Sequence, residues 1–212
     1  GATELMAAKD AVECIGRGEN AIKDYALNAK NGMVCGGDLS VFIEVTNTRP
    51  QLLLCGAGHV GKALMKVAHL AGFDITLVDT RDETQISDAI LEADTFIPLN
   101  DFYEGLMALD CAPGAFIVIA TYGHHFDKEA LAAALTKKAA YVGMIGSRKK
   151  VGVIFEKLGE DGFSDEQLRS VYAPIGMDIG GETPEEIAFS IISEILAVKY
   201  NKSGGHLSDH SS

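Results

Sequence analysis

Short apolar runs alternate with longer amphipathic segments from residue 51 onward. The short runs are rich in branched aliphatic and aromatic side chains and predict buried strands at residues 51–55, 74–78, 95–99, 115–120 and 139–144. Residues 59–71 and 127–137 carry apolar side chains at helical spacing and predict amphipathic helices. This alternation predicts an α/β fold, with a Rossmann-like parallel sheet and helices on both faces.

The segment that precedes this core has a different pattern. Residues 3–17 predict a helix, and strand-like runs follow at 22–27 and 39–45. Together they predict a small α+β domain over residues 1–48. The Rossmann-like domain then occupies residues 49–200.

Helix-start signals dominate the C-terminal part of the chain. Ser164 with Gln167, and Thr183 with Glu186, have the spacing of capping boxes and predict that helices begin there. The long apolar helix after Thr183 either packs on the sheet or buries one face in a homodimer. Residues 201–212 are polar and predict a disordered tail.

Amino-acid composition and net charge exclude several classes of protein. The 212 residues are 47% hydrophobic and 23% charged, as in globular proteins. The net charge of −12 argues against binding to nucleic-acid backbones or anionic membranes. No apolar run reaches the ~18–20 residues of a transmembrane helix, and the start, Gly1 to Glu4, has no signal-peptide pattern. The four cysteines include no close pair, which favours a reducing, cytoplasmic location.

A glycine-rich turn follows the first strand of the sheet. Residues 56–61 (Gly-Ala-Gly-His-Val-Gly) open a predicted helix and match the dinucleotide-binding fingerprint, with Gly56, Gly58, His59, Val60 and Gly61 as candidate ligand contacts. Asp79 ends the next strand and could accept hydrogen bonds from a ribose diol, whereas Arg81 would tolerate the phosphate of NADP. The alternative is a tight strand-to-helix turn that binds nothing, with His59 capping its own helix.

Two further loops are expected at the same edge of the sheet. Gly146, Ser147 and Arg148 follow a strand and begin a helix, a pattern typical of a phosphate or carboxylate site; a solvated basic surface is the alternative. His124 lies in the loop after strand 115–120 and is a candidate ligand contact; with Asp127 it forms the one pair there that could share a metal. A helix-capping loop is the alternative for that segment.

Several motifs together resemble one known family. They are residues 33–37 (Met-Val-Cys-Gly-Gly), 56–61, 122–127 (Tyr-Gly-His-His-Phe-Asp), 141–148 (Tyr-Val-Gly-Met-Ile-Gly-Ser-Arg) and 173–188 (Ala-Pro-Ile-Gly-Met-Asp-Ile-Gly-Gly-Glu-Thr-Pro-Glu-Glu-Ile-Ala). In order and spacing they resemble the xanthine dehydrogenase accessory factor family, XdhC/CoxI-like.

The resemblance implies a C-terminal Rossmann domain and a smaller N-terminal domain, which is abbreviated here relative to the family. It implies an accessory factor that binds molybdenum cofactor, assists its sulfuration and passes it to a molybdenum hydroxylase of the xanthine dehydrogenase type. That hydroxylase is the implied partner, and a cysteine desulfurase is a further candidate partner. The protein is accordingly expected to lack turnover of its own.

Within this interpretation, molybdopterin is the ligand, a pterin that carries a phosphate and holds the metal through a dithiolene. The helix starts at 58–61 and 146–148 would hold its phosphate. Cys35, which is flanked by glycine, could contact molybdenum as a soft thiolate ligand. The alternative for Cys35 is a small apolar residue in a tight turn, and the other three cysteines are expected to be inert.

Two functions of other classes stay open from the sequence. The first is an NAD(P)-dependent oxidoreductase, which the glycine turn and Asp79 favour. The second is a nucleotide-sensing regulatory module that docks a partner through the helix at 184–198.

Overall fold

The computed structural model describes residues 2–26, 37–45 and 49–208. The chain divides into two compact units, Gly1–Arg49 and Pro50–Ser212. The first unit contains helix α1 (Ala2–Arg17) and an antiparallel pair formed by β1 (Ala21–Ala26) and β2 (Asp38–Ile43). This unit therefore combines a helix with an antiparallel strand pair.

The second unit is built around a five-stranded parallel sheet. Its strands are β3 (Gln51–Cys55), β4 (Asp74–Asp79), β5 (Thr95–Pro98), β6 (Phe116–Ile119) and β7 (Tyr141–Met144). The order across the sheet is β5-β4-β3-β6-β7, and every neighbouring pair is parallel. This is the strand order of a Rossmann fold, so the predicted fold class is confirmed.

Helices connect the strands and cover the sheet. They are α2 (His59–Leu70), α3 (Ser87–Ile90), α4 (Phe102–Ala108), α5 (His124–Ala134), α6 (Arg148–Glu160), α7 (Asp165–Arg169) and α8 (Pro184–Lys199), with a 3₁₀ turn at Glu83–Gln85. The capping boxes predicted at Ser164 and Thr183 are both present. None of the helices in the described part of the chain is long and apolar enough to cross a membrane.

The core lies on both faces of the sheet because successive strand residues point to opposite sides. Leu52 and Leu54 of β3 belong to one apolar cluster, together with residues of α2 and α8. Leu53 and Cys55 belong to the other, together with residues of α4, α5 and α6. All four of these β3 side chains are fully buried, which explains the continuous apolar run in the sequence.

Helix α8 packs against α2 on the first face, which agrees with one of the two interpretations of its apolar pattern. Ala188, Ile191 and Ile195 are fully buried there, whereas Phe189 is exposed. The homodimer interpretation stays a prediction.

Candidate functional site

The crevice between β3 and β6 is the point where the strand order reverses. From β3 the chain proceeds to β4 on one side, and β6 begins the other half of the sheet. In open parallel sheets, ligands bind outside the carboxyl ends of the strands at such a point. The loops that follow these two strands, residues 56–58 and 120–123, are therefore the first place to look for a site.

The three glycines of the 56–61 turn differ in whether the packing of the fold requires glycine at their position. Gly56 has φ of +112°, and a Cβ atom there would lie 2.4 Å from the Ala120 carbonyl oxygen. At Gly61 an added Cβ would lie 2.4 Å from the Gly56 oxygen, so α2 can approach the strand only without a side chain. Both positions are thus required by the packing of the turn.

Gly58 is different, because nothing in the fold requires glycine there. Its φ of −74° and ψ of −178° are ordinary extended backbone that any residue adopts. The nearest atom to an added Cβ would be the Ala120 oxygen at 3.9 Å, an ordinary van der Waals distance. The space that a side chain at Gly58 would fill is open, and it faces the crevice edge where α2 begins.

The N-terminus of α2 is arranged to attract an anion. Gly58 is the N-cap residue, no side chain caps the helix, and its first turn carries no acidic residue. The first N–H groups of a helix have no partner within the helix, and they carry the positive end of its dipole. His59 is exposed at this end, and Val60 is half-buried against the core.

Asp79 lies at the end of β4 and holds the glycine turn in place. Its carboxylate is fully buried and accepts hydrogen bonds from the Ala57 backbone N–H at 2.7 Å, the Arg81 N–H at 2.9 Å, and Arg81 Nε and Nη2 at 3.0 and 2.6 Å. Burial alone would raise the pKa of Asp79, but these hydrogen bonds outweigh burial and hold the pKa below its ordinary value. Both carboxylate oxygens that we expected to face a ribose are therefore engaged by the chain itself.

Arg81 connects this turn to the loop after β6. Its guanidinium lies 5.0 Å from the centre of the Tyr122 ring, while Thr80 Oγ1 and Tyr122 Oη are 3.1 Å apart. The hydrogen bond to Asp79 raises the pKa of Arg81, so the group is charged at any physiological pH. The contact spans the carboxyl edge from β4 to β6, and sequence reasoning did not assign a role to Tyr122.

The histidine loop begins α5, with Gly123 as an N-cap that has no capping side chain. Asp127 is fully buried below it: Oδ1 accepts a hydrogen bond from Thr121 Oγ1 at 2.7 Å, and Oδ2 forms an ion pair with Lys150. The suggested metal pair of His124 and Asp127 therefore finds no support, and no group of three metal-ligating side chains occurs among the described residues. His124 itself lies at the first position of α5.

The loop after β7 brings together the second set of predicted residues. Ser147 caps α6 by accepting a hydrogen bond from the Lys150 N–H at 3.2 Å. The Lys150 side chain folds back over Gly146, where an added Cβ would lie 2.9 Å from Lys150 Cδ, and Nζ donates to the Ile145 oxygen at 3.1 Å. The three consecutive basic residues 148–150 therefore differ, since Lys150 is directed inward while Arg148 stays exposed.

The long motif at 173–188 has a structural role at this edge. Tyr172 pairs with Gly143 beside β7, and the following segment turns into α8. Glu194 of α8 accepts hydrogen bonds from Tyr141 Oη at 2.6 Å and from the Gly176 N–H at 3.0 Å. Gly176 has φ of +104°, and a Cβ there would lie 2.4 Å from Ser190 Oγ. These contacts fasten the motif to the sheet and to α8.

The cysteines outside the 33–37 motif are structural in character. Cys14 and Cys55 are buried and Cys111 is half-buried, all as free thiols. Burial raises the pKa of Cys55 and of Cys111, so both are protonated at neutral pH. Cys35, the candidate molybdenum contact, lies outside the described residues.

Comparison with known proteins shows which family the chain belongs to. The XdhC Rossmann domain matches residues 52–195. An uncharacterized protein, YqeB, of Escherichia coli K12 is 41% identical over 174 residues, which cover 82% of this chain and 32% of that protein. A probable xanthine dehydrogenase subunit of Bacillus subtilis 168 is 27% identical over 161 residues, covering 76% of this chain and 46% of its own length.

A crystal structure described as a xanthine dehydrogenase from Bacillus halodurans has the same fold. It superimposes with a TM-score of 0.62 at 24% identity, covering 77% of this chain and 47% of that one. The chain thus spans a third to a half of the length of the proteins it resembles. Because the XdhC Rossmann domain accounts for residues 52–195, the chain belongs to the XdhC family.

Proposed function

We propose that the crevice edge at Gly58 binds the phosphate of molybdopterin, and that the protein is an accessory factor in the maturation of a xanthine dehydrogenase-type molybdenum hydroxylase. The observation that carries the proposal is Gly58 itself. Its backbone is ordinary and its Cβ position is open, so the fold does not explain why a side chain is missing there. A ligand that approaches the backbone closely would explain it.

The charge arrangement at this edge fits a phosphate. Two helices, α2 and α5, begin there without a capping side chain, so their N-terminal N–H groups can donate to an anion. The two buried carboxylates nearby, Asp79 and Asp127, are each paired with a cation and do not repel it. When bound, molybdopterin would supply a dithiolene that holds molybdenum. Cys35 stays a candidate thiolate ligand from its sequence motif alone.

The test is binding of molybdopterin to purified protein, compared with a Gly58→Ala variant. The added methyl group would occupy the space that the phosphate needs, so affinity should fall by about tenfold or more, the loss expected for one charge-assisted hydrogen bond. The matched control is Gly152→Ala in α6, where an added Cβ meets nothing within 4 Å, whereas at Gly58 the nearest atom lies at 3.9 Å, an ordinary van der Waals distance. Equal affinities of the two variants would contradict the proposal.

The proposed accessory function is tested by a second experiment, which measures transfer of the cofactor to an apo-hydroxylase. Wild-type protein loaded with molybdopterin should activate the hydroxylase faster than free cofactor at the same concentration. If the protein binds molybdopterin but does not accelerate activation of the hydroxylase, the proposed binding site is supported and the proposed role in maturation is refuted.

A dinucleotide is the second candidate ligand, favoured by the 56–61 fingerprint and the strand order. Against it stands Asp79, whose oxygens already accept hydrogen bonds from Ala57 and Arg81. Titration with NADH and NADPH distinguishes the two candidates, since a dinucleotide site should bind one of them at micromolar concentration.

A further inference from the structure

A concave groove runs between α5 and α6, on the side of the sheet away from α2 and α8. It has a volume of about 460 Å³, and its walls carry Lys128, Lys149, Lys150 and Lys157. Two histidines at the start of α5 complete the wall at the carboxyl edge. Four ammonium groups around one cavity are unexpected in a chain whose net charge is −12.

The four lysines are not equivalent. Lys128 forms an ion pair with Asp161 at 2.6 Å, and Lys150 is paired with the buried Asp127. Lys149 and Lys157 are exposed and, within the described part of the chain, have no carboxylate partner. The groove therefore contains two cations whose charge the chain does not neutralise.

The start of α6 adds to this positive potential. Its first turn contains Arg148 and Lys149 in addition to Lys150, and no acidic residue. Cations at a helix N-terminus are repelled by the helix dipole, which normally selects aspartate or glutamate there. A bound anion would relieve this repulsion for every cation of the turn.

The floor of the groove is apolar and indicates that a ligand would have an apolar part in addition to its negative charge. Val153 is exposed in the cavity and Ile154 lies below it, so an apolar surface separates the cationic walls. A volume of about 460 Å³ is in the range of small-molecule sites, and such sites combine apolar walls with a few placed polar groups. A flat ring or short apolar body would cover Val153 while its charged end meets the lysines.

We propose that this groove is a second binding site, which takes a small molecule that carries a phosphate or diphosphate on an apolar body. Lys149 and Lys157 contact the phosphate oxygens, and Lys150 is held in place by Asp127 as part of the wall. The proposal goes beyond the crevice site and does not rest on it, because none of its argument uses Gly58 or the glycine turn.

The test measures binding of inorganic pyrophosphate and of ADP by calorimetry, in the full chain at low ionic strength. The test variant is Lys149→Gln/Lys157→Gln. The matched control is Lys138→Gln/Lys202→Gln, which makes the same change in net charge at two exposed lysines outside the groove. The groove variant should lose affinity by about tenfold or more for each lysine removed, whereas the control should bind as wild type does.

Three outcomes would overturn the inference. Equal losses in both double variants would show that pyrophosphate responds only to net charge. Loss in Gly58→Ala with full affinity in the groove variant would place the anion at the crevice alone, and would leave the proposed function intact. Binding of an oligo-glutamate peptide at the groove, without binding of pyrophosphate or ADP, would assign the groove to an acidic protein segment instead.

Discussion

Replacing Asp79 by asparagine should destabilise the Rossmann unit strongly. The carboxylate is fully buried and accepts four hydrogen bonds, three of them from Arg81. Asparagine keeps one acceptor for these donors but leaves the Arg81 cation without its counter-charge. Breaking a buried ion pair costs about 3–5 kcal/mol. Because the Arg81 side chain is 24% exposed and can partly hydrate, we expect the lower end of that range, about 3 kcal/mol.

The free energy of unfolding, from urea titration followed by circular dichroism, measures this loss. A loss of about 3 kcal/mol corresponds to a fall in Tm of about 6–12 °C for a unit of this size. The control is Asp88→Asn, because Asp88 forms an ion pair with Lys62 at 2.7 Å but is 66% exposed. An exposed pair contributes less than about 1 kcal/mol. If both variants lost the same amount, Asp79 would not be the anchor of the glycine turn.

The pH dependence of the free energy of unfolding provides a second test of the role of Asp79. The folded pKa of Asp79 lies below its unfolded value of about 3.9, so the carboxylate stabilises the fold above that pH. This stabilisation is lost as pH falls through the lowered folded pKa. The difference in stability between wild type and Asp79→Asn should therefore be constant near neutrality and shrink below about pH 4. A constant difference down to pH 2 would refute the assignment.

Three further predictions concern single contacts. Gly56→Ala should lower the yield of folded protein or its Tm far more than Gly58→Ala does, since its methyl group would collide with the Ala120 oxygen at 2.4 Å. Tyr141→Phe removes the partly buried hydrogen bond of 2.6 Å to Glu194, so urea denaturation should show a loss of about 1–3 kcal/mol. The Cys55 thiol is fully buried with a raised pKa, so iodoacetamide at pH 8 should modify it, by peptide mass spectrometry, only after unfolding.

Most of the sheet was predictable because its central strands β4, β3 and β6 are buried on both faces, and their sequences are nearly continuous apolar runs. The strand β6, for example, is Phe-Ile-Val-Ile, and all four side chains are buried. Helix α4 was missed because it is only 7 residues long and contains Gly105. An added Cβ at that glycine would lie 2.8 Å from the end of the Leu99 side chain, which would have to shift. A contact of this kind depends on the fold and has no signal in the local sequence.

The position of the glycine turn was predictable because its sequence pattern depends on backbone conformation. Glycines in a strand–turn–helix context identify the crevice loop, and the structure has that turn at the predicted edge. Side-chain partners were not predictable, because they depend on which loops meet. Asp127 and Lys150 are 23 positions apart, and nothing in the local sequence indicates that they form an ion pair. Asp79 was expected to face a ligand, and its contacts with Ala57 and Arg81 appear only in three dimensions.

The two buried carboxylates explain how an acidic chain could present the anion-binding edge that we propose. Asp79 fixes the loop after β3 through Ala57, and Asp127 fixes the loop after β6 through Thr121. Each is neutralised by one cation, so neither pair contributes much net charge at the edge. The positive potential then comes from exposed lysines and from helix N-termini, whose N–H groups are fixed by the backbone. Because both loops are held before a ligand arrives, binding there costs little ordering entropy. Weakening either carboxylate should therefore lower anion affinity even though neither one touches the anion.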